Sequence, residues 1–146
     1  VEVTDEFGCI GTDSLTLIQQ CPTDLYIPNV FSPNGEHIVT ASRDRTAKLW
    51  DAKTGNPIAT FHGHTGAVVS ATFSPDSQRI LTASDDTTAK LWGSDGKLLT
   101  TLKGHTGGLA RAVFSPSGHR ILTASSDISV DMTARLWNGS GQLLAV

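Results

Sequence analysis

The sequence predicts an all-β chain made of three consecutive copies of one four-stranded unit. The tripeptide Phe-Ser-Pro recurs with spacings of 42 and 41 residues, at 31–33, 73–75 and 114–116. The dipeptide Leu-Trp recurs in step with it, at 49–50, 91–92 and 136–137. No stretch sustains a 3.6-residue apolar period, which argues against helices. Self-similarity at a period of about 40 residues indicates a repeat architecture.

The second repeat shows how each unit divides into strands. Apolar and β-branched runs are predicted to form strands at about 67–73, 79–84, 88–92 and 97–102. Turn-forming residues separate them: Pro75-Asp76-Ser77, Asp85-Asp86-Thr87 and Gly93-Ser94-Asp95-Gly96. Short turns join neighbouring antiparallel strands, so each unit is expected to be one antiparallel sheet. A single small sheet cannot bury two apolar faces and must therefore stack against others.

These anchors, with Gly-His-Thr-Gly at 63–66 and 104–107 and turns of the form Ser-x-Asp-x-Thr, resemble the WD40-repeat family of β-propellers over residues 30–146. The resemblance implies three blades, at 30–62 (incomplete), 63–103 and 104–146. Closed propellers use about four to eight blades. We therefore expect a partial propeller, which is part of a larger one or is completed by self-association.

The resemblance also implies a hydrogen-bonded set in each blade. It comprises a His before the first strand, a Ser or Thr ending the second, an Asp in the next turn and a Trp in the third. The residues carried over are His64, Ser84, Asp86 and Trp92, then His105, Ser125, Asp131 and Trp137, and in the first repeat Ser42, Asp44 and Trp50. The first repeat has Pro22 near its His position. The third has four extra residues before its Asp, so Ser125 and Ser129 compete for the Ser position.

Some of these residue types also occur in catalytic sites. Ser84, His64 and Asp86 have the types of a hydrolytic triad, but a triad needs an exposed nucleophile and an oxyanion site. A structural role is therefore favoured, and no enzymatic activity is expected. The three Trp residues could stack on a ligand, but their fixed place within a strand favours the core.

Metal and anion sites are the other chemical alternatives. His62 and His64 could be two metal ligands, but Lys103 stands at the matching position of the next repeat, so no metal or cofactor is expected. Basic residues recur two positions before each Trp, at Lys48, Lys90 and Arg135. They could bind an anion, but their stems are expected to cover apolar surface.

Residues 1–29 do not keep the repeat register. Alternating polar and apolar residues at 2–5 and 14–18 predict two strands around a Gly-rich turn at 8–11. Residues 1–35 resemble the end of a PKD-type domain leading into the gliding-motility-associated C-terminal domains of Bacteroidetes surface proteins; the alternative is a degenerate first blade strand. Cys9 and Cys21 could pair after export or stay reduced in a cytoplasm, so the compartment is undetermined.

The composition of the chain argues against a nucleic-acid-binding function and against a membrane-spanning one. The net charge is −3, and no block of Lys and Arg suggests a nucleic-acid surface. The apolar runs are too short to span a membrane. The expected function is a non-catalytic scaffold that binds other proteins. The alternative is a secreted or cell-surface adhesion element of a bacterial surface protein.

The direction of the strands predicts where a partner would bind. Because successive strands alternate in direction, one rim collects the loops at 42–46, 62–67, 84–88, 103–108 and 125–133. Loops carry binding more often than strands do. The candidate contact residues are Arg43, Thr65, Asp85, Thr106, Ile128 and Val130. The last two lie in the insertion of the third repeat, which is either neutral drift or an apolar contact.

Overall fold

The computed structural model describes residues 3–4, 10–11, 30–125 and 130–146. These residues form strands and turns, and among them no helix is long and apolar enough to cross a membrane. The strands are β1 (Val3–Thr4), β2 (Ile10–Gly11), β3 (Val30–Phe31), β4 (His37–Ala41), β5 (Ala47–Asp51), β6 (Pro57–Phe61), β7 (Val68–Phe73), β8 (Arg79–Ser84), β9 (Ala89–Gly93), β10 (Leu98–Leu102), β11 (Leu109–Phe114), β12 (Arg120–Ser125), β13 (Ala134–Asn138) and β14 (Leu143–Ala145).

Strands β3 to β14 form three antiparallel four-stranded sheets. Their orders are β3-β4-β5-β6, β7-β8-β9-β10 and β11-β12-β13-β14, so every sheet runs in chain order. This confirms the all-β prediction of three four-stranded blades. In the second sheet the strand bounds match the prediction within one residue.

Turn chemistry fixes the register of the first two strands in each blade. In the second blade, Ser74 Oγ accepts from the Arg79 backbone N–H at 2.9 Å, and Ser77 takes a positive φ of 61°. Gly35 and Gly118 occupy the matching left-handed position in the other two blades, where glycine avoids the cost of a Cβ. The resulting register places Phe73 on β7 opposite Ile80 on β8.

The hydrophobic core lies between the sheets. The first two blades share one buried cluster, made of Val39, Ala41, Ala47, Leu49, Phe61, Val68, Ala71, Phe73, Ile80 and Trp92. The second and third share another, made of Leu81, Ala83, Ala89, Leu91, Leu102, Leu109, Ala112, Ile121 and Trp137. The middle blade thus contributes one face to each cluster. Stacking of this kind buries both faces of a sheet that could not be stable alone.

Close contacts join the blades at the rim that carries the Gly-His loops. The backbone N–H of Val68 in the second blade donates to the carbonyl oxygen of Ser42 in the first, at 3.0 Å. A Cβ on Gly108 would lie 3.3 Å from the Cα of Asp85. Because both contacts involve backbone atoms, the loops of neighbouring blades hold each other in place at this rim.

The N-terminal strand pair differs in part from its prediction. Strands β1 and β2 pair antiparallel, with Val3 opposite Gly11. The prediction for 2–5 overlaps β1. Ile10 and Gly11, which were assigned to the turn, form the partner strand instead. Two strands of only two residues each can pair across a shorter connection than the predicted strands at 2–5 and 14–18. The predicted strand at 14–18, both cysteines and the position of Pro22 lie outside the described residues.

Candidate functional site

The second blade contains a buried hydrogen-bonded set that ties two strands and the turn between them to one rim loop. His64, in the loop before β7, has Nδ1 2.8 Å from Asp86 Oδ2 and Nε2 2.8 Å from Thr82 Oγ1. The Trp92 indole N–H donates to the same threonine oxygen at 2.9 Å. Thr82 on β8 therefore joins the loop to the third strand, and His64 joins Thr82 to the turn after β8.

The donors and acceptors of this set show which nitrogen of the His64 ring carries a hydrogen and that the ring is neutral. A carboxylate only accepts, so Nδ1 carries the hydrogen and donates to Asp86. The Thr82 oxygen accepts from Trp92, and its own hydrogen is then free to donate to Nε2. A neutral His64 satisfies all of these groups at once, as a buried polar cluster requires.

The Asp86 carboxylate is saturated with donors. Besides His64, it accepts from the Thr65 backbone N–H at 2.9 Å, the Thr88 backbone N–H at 3.0 Å and the Thr88 hydroxyl at 2.6 Å. Burial would raise the pKa of Asp86, but the bonds from Thr88, Thr65 and His64 outweigh it and lower the pKa to about 2. Asp86 is therefore ionised at neutral pH and fixes the loop before β7 to the turn after β8.

Burial also acts on the histidine. It lowers the pKa of His64 below the ordinary 6.5, because removing the ring from water disfavours the imidazolium more than Asp86 favours it. The direction agrees with the neutral ring that the hydrogen bonds assign. A histidine held neutral in this way is a structural bridge between loop and strand.

The third blade repeats the arrangement despite its longer turn. His105 bridges Asp131 and Thr123, each at 2.8 Å, and the Trp137 indole N–H donates to Thr123 at 2.9 Å. Bonds led by the one from the Thr133 hydroxyl hold the pKa of Asp131 well below its usual range. The four extra residues thus leave the geometry of the set unchanged.

In the first blade, the described residues show the strand part of the set. The Trp50 indole N–H donates to Thr40 Oγ1 at 3.0 Å, and Asp44 accepts from the Thr46 backbone and hydroxyl. Thr40, Thr82 and Thr123 therefore bind the three Trp indoles at matching positions. The indole bond forms even where the sequence supplies no Gly-His loop.

The serine assignments were wrong. Ser42, Ser84 and either Ser125 or Ser129 were expected in the set, but the hydroxyl that binds the Trp side chain, and the His side chain where there is one, belongs to Thr40, Thr82 and Thr123. Ser129 lies outside the described residues. Ser84 instead donates to the Gly66 carbonyl at 3.0 Å and accepts from the Asp86 N–H at 3.1 Å. Ser125 donates to the Gly108 carbonyl at 2.9 Å in the same way. Residues two apart share a strand face, and only the threonine lies at the height of the indole N–H.

The same geometry bears on the four alternative roles of these residues, namely a hydrolytic triad, a metal site, an anion site and ligand stacking on Trp. Ser84 is fully buried, and His64 Nε2 faces Thr82 instead, so this serine is not placed as a nucleophile. In the described part of the chain, no three or more His, Cys, Asp or Glu side chains are grouped to hold a metal ion. The Lys90 ammonium bonds to Thr101 on the outer strand at 3.2 Å. All three Trp side chains are buried in the blades.

The candidate contact residues that the structure describes lie on the outer side of the rim, outside the buried hydrogen-bonded set. Arg43, Thr65, Asp85, Thr106 and Val130 are exposed on it, while Ile128 lies outside the described residues. Thr106 is held to the long turn by a bond from its hydroxyl to the Val130 carbonyl at 3.3 Å. The structure therefore places the Gly-His loop of the third blade beside Val130.

Sequence reasoning missed Met132. This side chain follows the buried Asp131 and is 79% exposed, the largest exposed fraction among the large hydrophobic residues described. It takes the repeat position of Arg45 and Thr87, both of which have left-handed backbones with φ of 74° and 70°. The signal was an apolar residue at a turn position that is polar in the other two repeats.

The stacked four-stranded sheets and the His-Asp-Thr-Trp set define blades of a β-propeller. The family described as "WD domain, G-beta repeat" matches residues 21–51, 55–93 and 96–138. The chain belongs to this WD-repeat family. WD repeats generally mediate protein–protein interactions and are generally non-catalytic.

Curated relatives share parts of the chain. The chain is similar to the General transcriptional corepressor TUP1 of Saccharomyces cerevisiae, with 35% identity over 60 residues, or 41% of this chain and 8% of that protein. It is also similar to the Coronin-like protein crn1 of Schizosaccharomyces pombe, with 40% identity over 37 residues, or 25% of this chain and 6% of that protein. The chain thus spans less than a tenth of either relative.

The comparisons give no support to the resemblance of residues 1–35 to PKD-type and gliding-motility domains. The first WD match begins at residue 21 and so overlaps this segment.

Proposed function

We propose that this chain is a non-catalytic scaffold that binds another protein through the rim built from the loops at 42–46, 62–67, 84–88, 103–108 and 125–133. One observation carries the proposal. At the turn of the third blade, Asp131 is buried while its neighbour Met132 is 79% exposed. This inverts the usual distribution, in which carboxylates face water and large apolar side chains are covered.

The support beneath this turn explains how an apolar tip stays exposed. Asp131 is anchored by His105 and by the Thr106 backbone N–H, both at 2.8 Å. With the carboxylate fixed inward, its neighbours Val130 and Met132 point outward, and Val130 is 59% exposed. An exposed apolar pair on a rigid base is a pre-organised contact, which lowers the entropic cost of binding.

The turns of the other two blades on the same rim carry charged residues. Arg43 and Asp85 are exposed on the turns of the first and second blades. Protein interfaces combine an apolar centre with a polar rim. The expected partner surface is therefore an apolar contact bordered by both signs of charge.

Site-specific photo-crosslinking tests the proposal. A photoreactive amino acid at position 132 should capture a defined set of proteins in lysate of the source organism, identified by mass spectrometry. The matched control places the same amino acid at Gln78, which is exposed on the opposite rim. A captured protein is then purified and titrated against the wild-type chain and the Met132→Ser variant.

Two results decide the outcome. The proposal predicts capture at position 132 but not at 78, and about tenfold or more weaker binding by Met132→Ser with unchanged folding. Equal capture at both positions, or a Met132→Ser variant that binds as tightly as wild type, would contradict it.

The adhesion alternative depends on residues 1–35. Most of that segment lies outside the described residues, so no observation of the structure favours this alternative.

A further inference from the structure

The turn between β13 and β14 contains an Asn-Gly pair whose side-chain carbonyl is surrounded by donors. Asn138 Oδ1 accepts from the Ser140 backbone N–H at 3.1 Å, the Ser140 hydroxyl at 2.8 Å and the Gln142 backbone N–H at 2.8 Å. Asn138 Nδ2 donates to Gln142 Oε1 at 3.2 Å. Because Ser140 and Gln142 are exposed, water reaches this turn. The donors polarise the side-chain carbonyl of Asn138.

The nitrogen that can attack this carbonyl belongs to the next residue. Gly139 has no side chain to shield its backbone nitrogen, and among the described residues no hydrogen bond holds its N–H. The turn is closed instead by the Gly141 N–H, which donates to the Asn138 backbone carbonyl at 3.0 Å. The Gly139 nitrogen is therefore available for reaction with Asn138 Cγ.

The three donors to Asn138 Oδ1 bear directly on that reaction. Attack by the Gly139 nitrogen on Cγ places negative charge on Oδ1, to which the donors already point. Donors that are in position before the charge develops lower the barrier, as they do in the oxyanion holes of enzymes. The turn thus stabilises the intermediate of an attack on its own side chain.

The chain contains a second Asn-Gly pair, in the turn between β3 and β4, that differs at each of these points. The Gly35 N–H donates to the Ser32 carbonyl at 2.8 Å. Asn34 Oδ1 accepts from the Ser32 hydroxyl at 2.6 Å and the Glu36 N–H at 3.2 Å, and Asn34 Nδ2 donates to the Glu36 carboxylate at 2.7 Å. The Gly35 nitrogen must first lose its partner, and negative charge would develop beside a carboxylate. Both features slow the attack at Asn34.

We infer that Asn138 is a site of spontaneous deamidation and that Asn34 is protected from it. The Gly139 nitrogen loses its proton and bonds to Asn138 Cγ, while the Cγ–Nδ2 bond breaks and the amide nitrogen takes up a proton and leaves as ammonia. Water then opens the succinimide at either carbonyl, which yields aspartate or isoaspartate at position 138. This turn lies on the rim opposite to the one proposed to bind a partner, so the inference does not rest on that proposal.

The two products are expected to affect the blade differently. In the first blade the repeat equivalent of Asn138 is Asp51, which accepts from the Thr54 backbone N–H at 2.7 Å and the Thr54 hydroxyl at 2.9 Å. An aspartate therefore fits this position of the blade. Isoaspartate instead adds a methylene group to the backbone and displaces the Gly139 carbonyl.

The Gly139 carbonyl belongs to a contact between the second and third blades. Arg79, the first residue of β8, donates to it at 3.5 Å and to the Gly118 carbonyl at 3.0 Å. The guanidinium carbon of Arg79 also lies 5.3 Å from the centre of the Phe114 ring. Isoaspartate at position 138 is therefore expected to weaken the junction between these two blades.

Ageing of the purified full chain in mildly alkaline buffer tests the inference. Peptide mass spectrometry follows the conversion of each asparagine, and fragmentation that separates the two acids measures isoaspartate. Asn138 should convert about fivefold or more faster than Asn34, because a hydrogen bond of ordinary strength must first break at Gly35. In denaturant the hydrogen bonds of both turns are lost, so the ratio of the two rates should fall towards one.

Two variants separate the reaction from its consequence. Ser140→Ala removes one donor to Asn138 Oδ1 and should slow conversion at 138 about threefold or more, with no change at 34. Asn138→Asp carries the aspartate product from the start and should unfold at the temperature of the fresh wild-type chain. The isoaspartate fraction of the aged chain should unfold at a lower temperature.

The comparison of Asn138 with Asn34 is made within one folded sample, so a loss of fold cannot imitate it. Equal rates at the two sites in the folded chain would overturn the inference. So would a rate at 138 that Ser140→Ala leaves unchanged, or an isoaspartate form as stable as the fresh chain.

Discussion

Thr82 is the residue on which the hydrogen-bonded set depends most. Its hydroxyl accepts from the Trp92 indole and donates to His64, and the side chain is fully buried. Valine has nearly the same shape but offers no partner to either nitrogen. An unpaired buried polar group costs about 1–3 kcal/mol, so two such groups make a large loss.

Thr82→Val is therefore expected to lower the free energy of unfolding by about 2 kcal/mol or more. Denaturant titration followed by Trp fluorescence measures this change. The matched control is Thr72→Val, at a half-buried position of the neighbouring strand. Equal effects of the two substitutions would show that the hydroxyl of Thr82 has no special role.

The same set makes stability depend on pH in a defined direction. The folded-state pKa of His64 is lowered, so the unfolded chain takes up a proton first as the pH falls below 6.5, and stability decreases. Asp86 has a folded-state pKa of about 2 against 3.8, so its contribution is lost as the pH falls from about 4 towards 2. Both groups therefore destabilise the fold in acid.

The expected result is a lower free energy of unfolding at about pH 5.5 than at about pH 7.5. His64→Gln removes the titrating ring. It should lower stability at neutral pH and reduce the slope between these two pH values. A slope that the substitution leaves unchanged would assign the pH dependence to other groups.

At the level of elements, the sequence predicts the strands well because two local signals coincide. The Leu-Trp and Phe-Ser-Pro anchors fix the register, and Gly, Asp and Ser mark the turns between them.

The threonine of the set was missed for a physical reason. Thr82 and Ser84 lie on the same strand face. The alternation of side chains along a strand does not show which of the two is level with the indole N–H on the neighbouring strand. The recurrence of Thr40, Thr82 and Thr123 was the available signal.

The turn after β8 carries a local strain that the third blade lacks. Thr87 has φ of 70°, a conformation that is costly for a β-branched residue and that asparagine tolerates better. Met132, at the equivalent position, is not among the described residues with positive φ. The turn of the third blade thus exposes an apolar side chain at this position without a left-handed backbone there.

Thr87→Asn is accordingly expected to raise the free energy of unfolding by about 0.5–1 kcal/mol. Met132→Asn is the matched substitution in the third blade and should give no gain, because no left-handed residue is relieved there. Thermal unfolding of the two variants beside the wild type provides the comparison. A gain at 132 equal to that at 87 would contradict the explanation.

At the scale of the whole molecule, stability depends on stacking. The middle blade shares buried clusters with both neighbours, whereas the outer faces of the first and third blades have exposed apolar residues in the described part of the chain. The sequence predicts this arrangement, because three repeats of an apolar sheet have only two internal interfaces. It could not predict that Arg79 donates to the carbonyl groups of Gly118 and Gly139 in the third blade, since that contact forms only when the two blades stack.

Residue-resolved hydrogen exchange tests the stack of blades most directly. Strands β8 and β9 are central in the only blade that packs against described sheets on both faces, so their amides should exchange most slowly. The outer strands β10 and β14 should exchange fastest, because each has one edge without a described strand partner. Protection of β8 and β9 no greater than that of β10 and β14 would contradict the stacked-blade account.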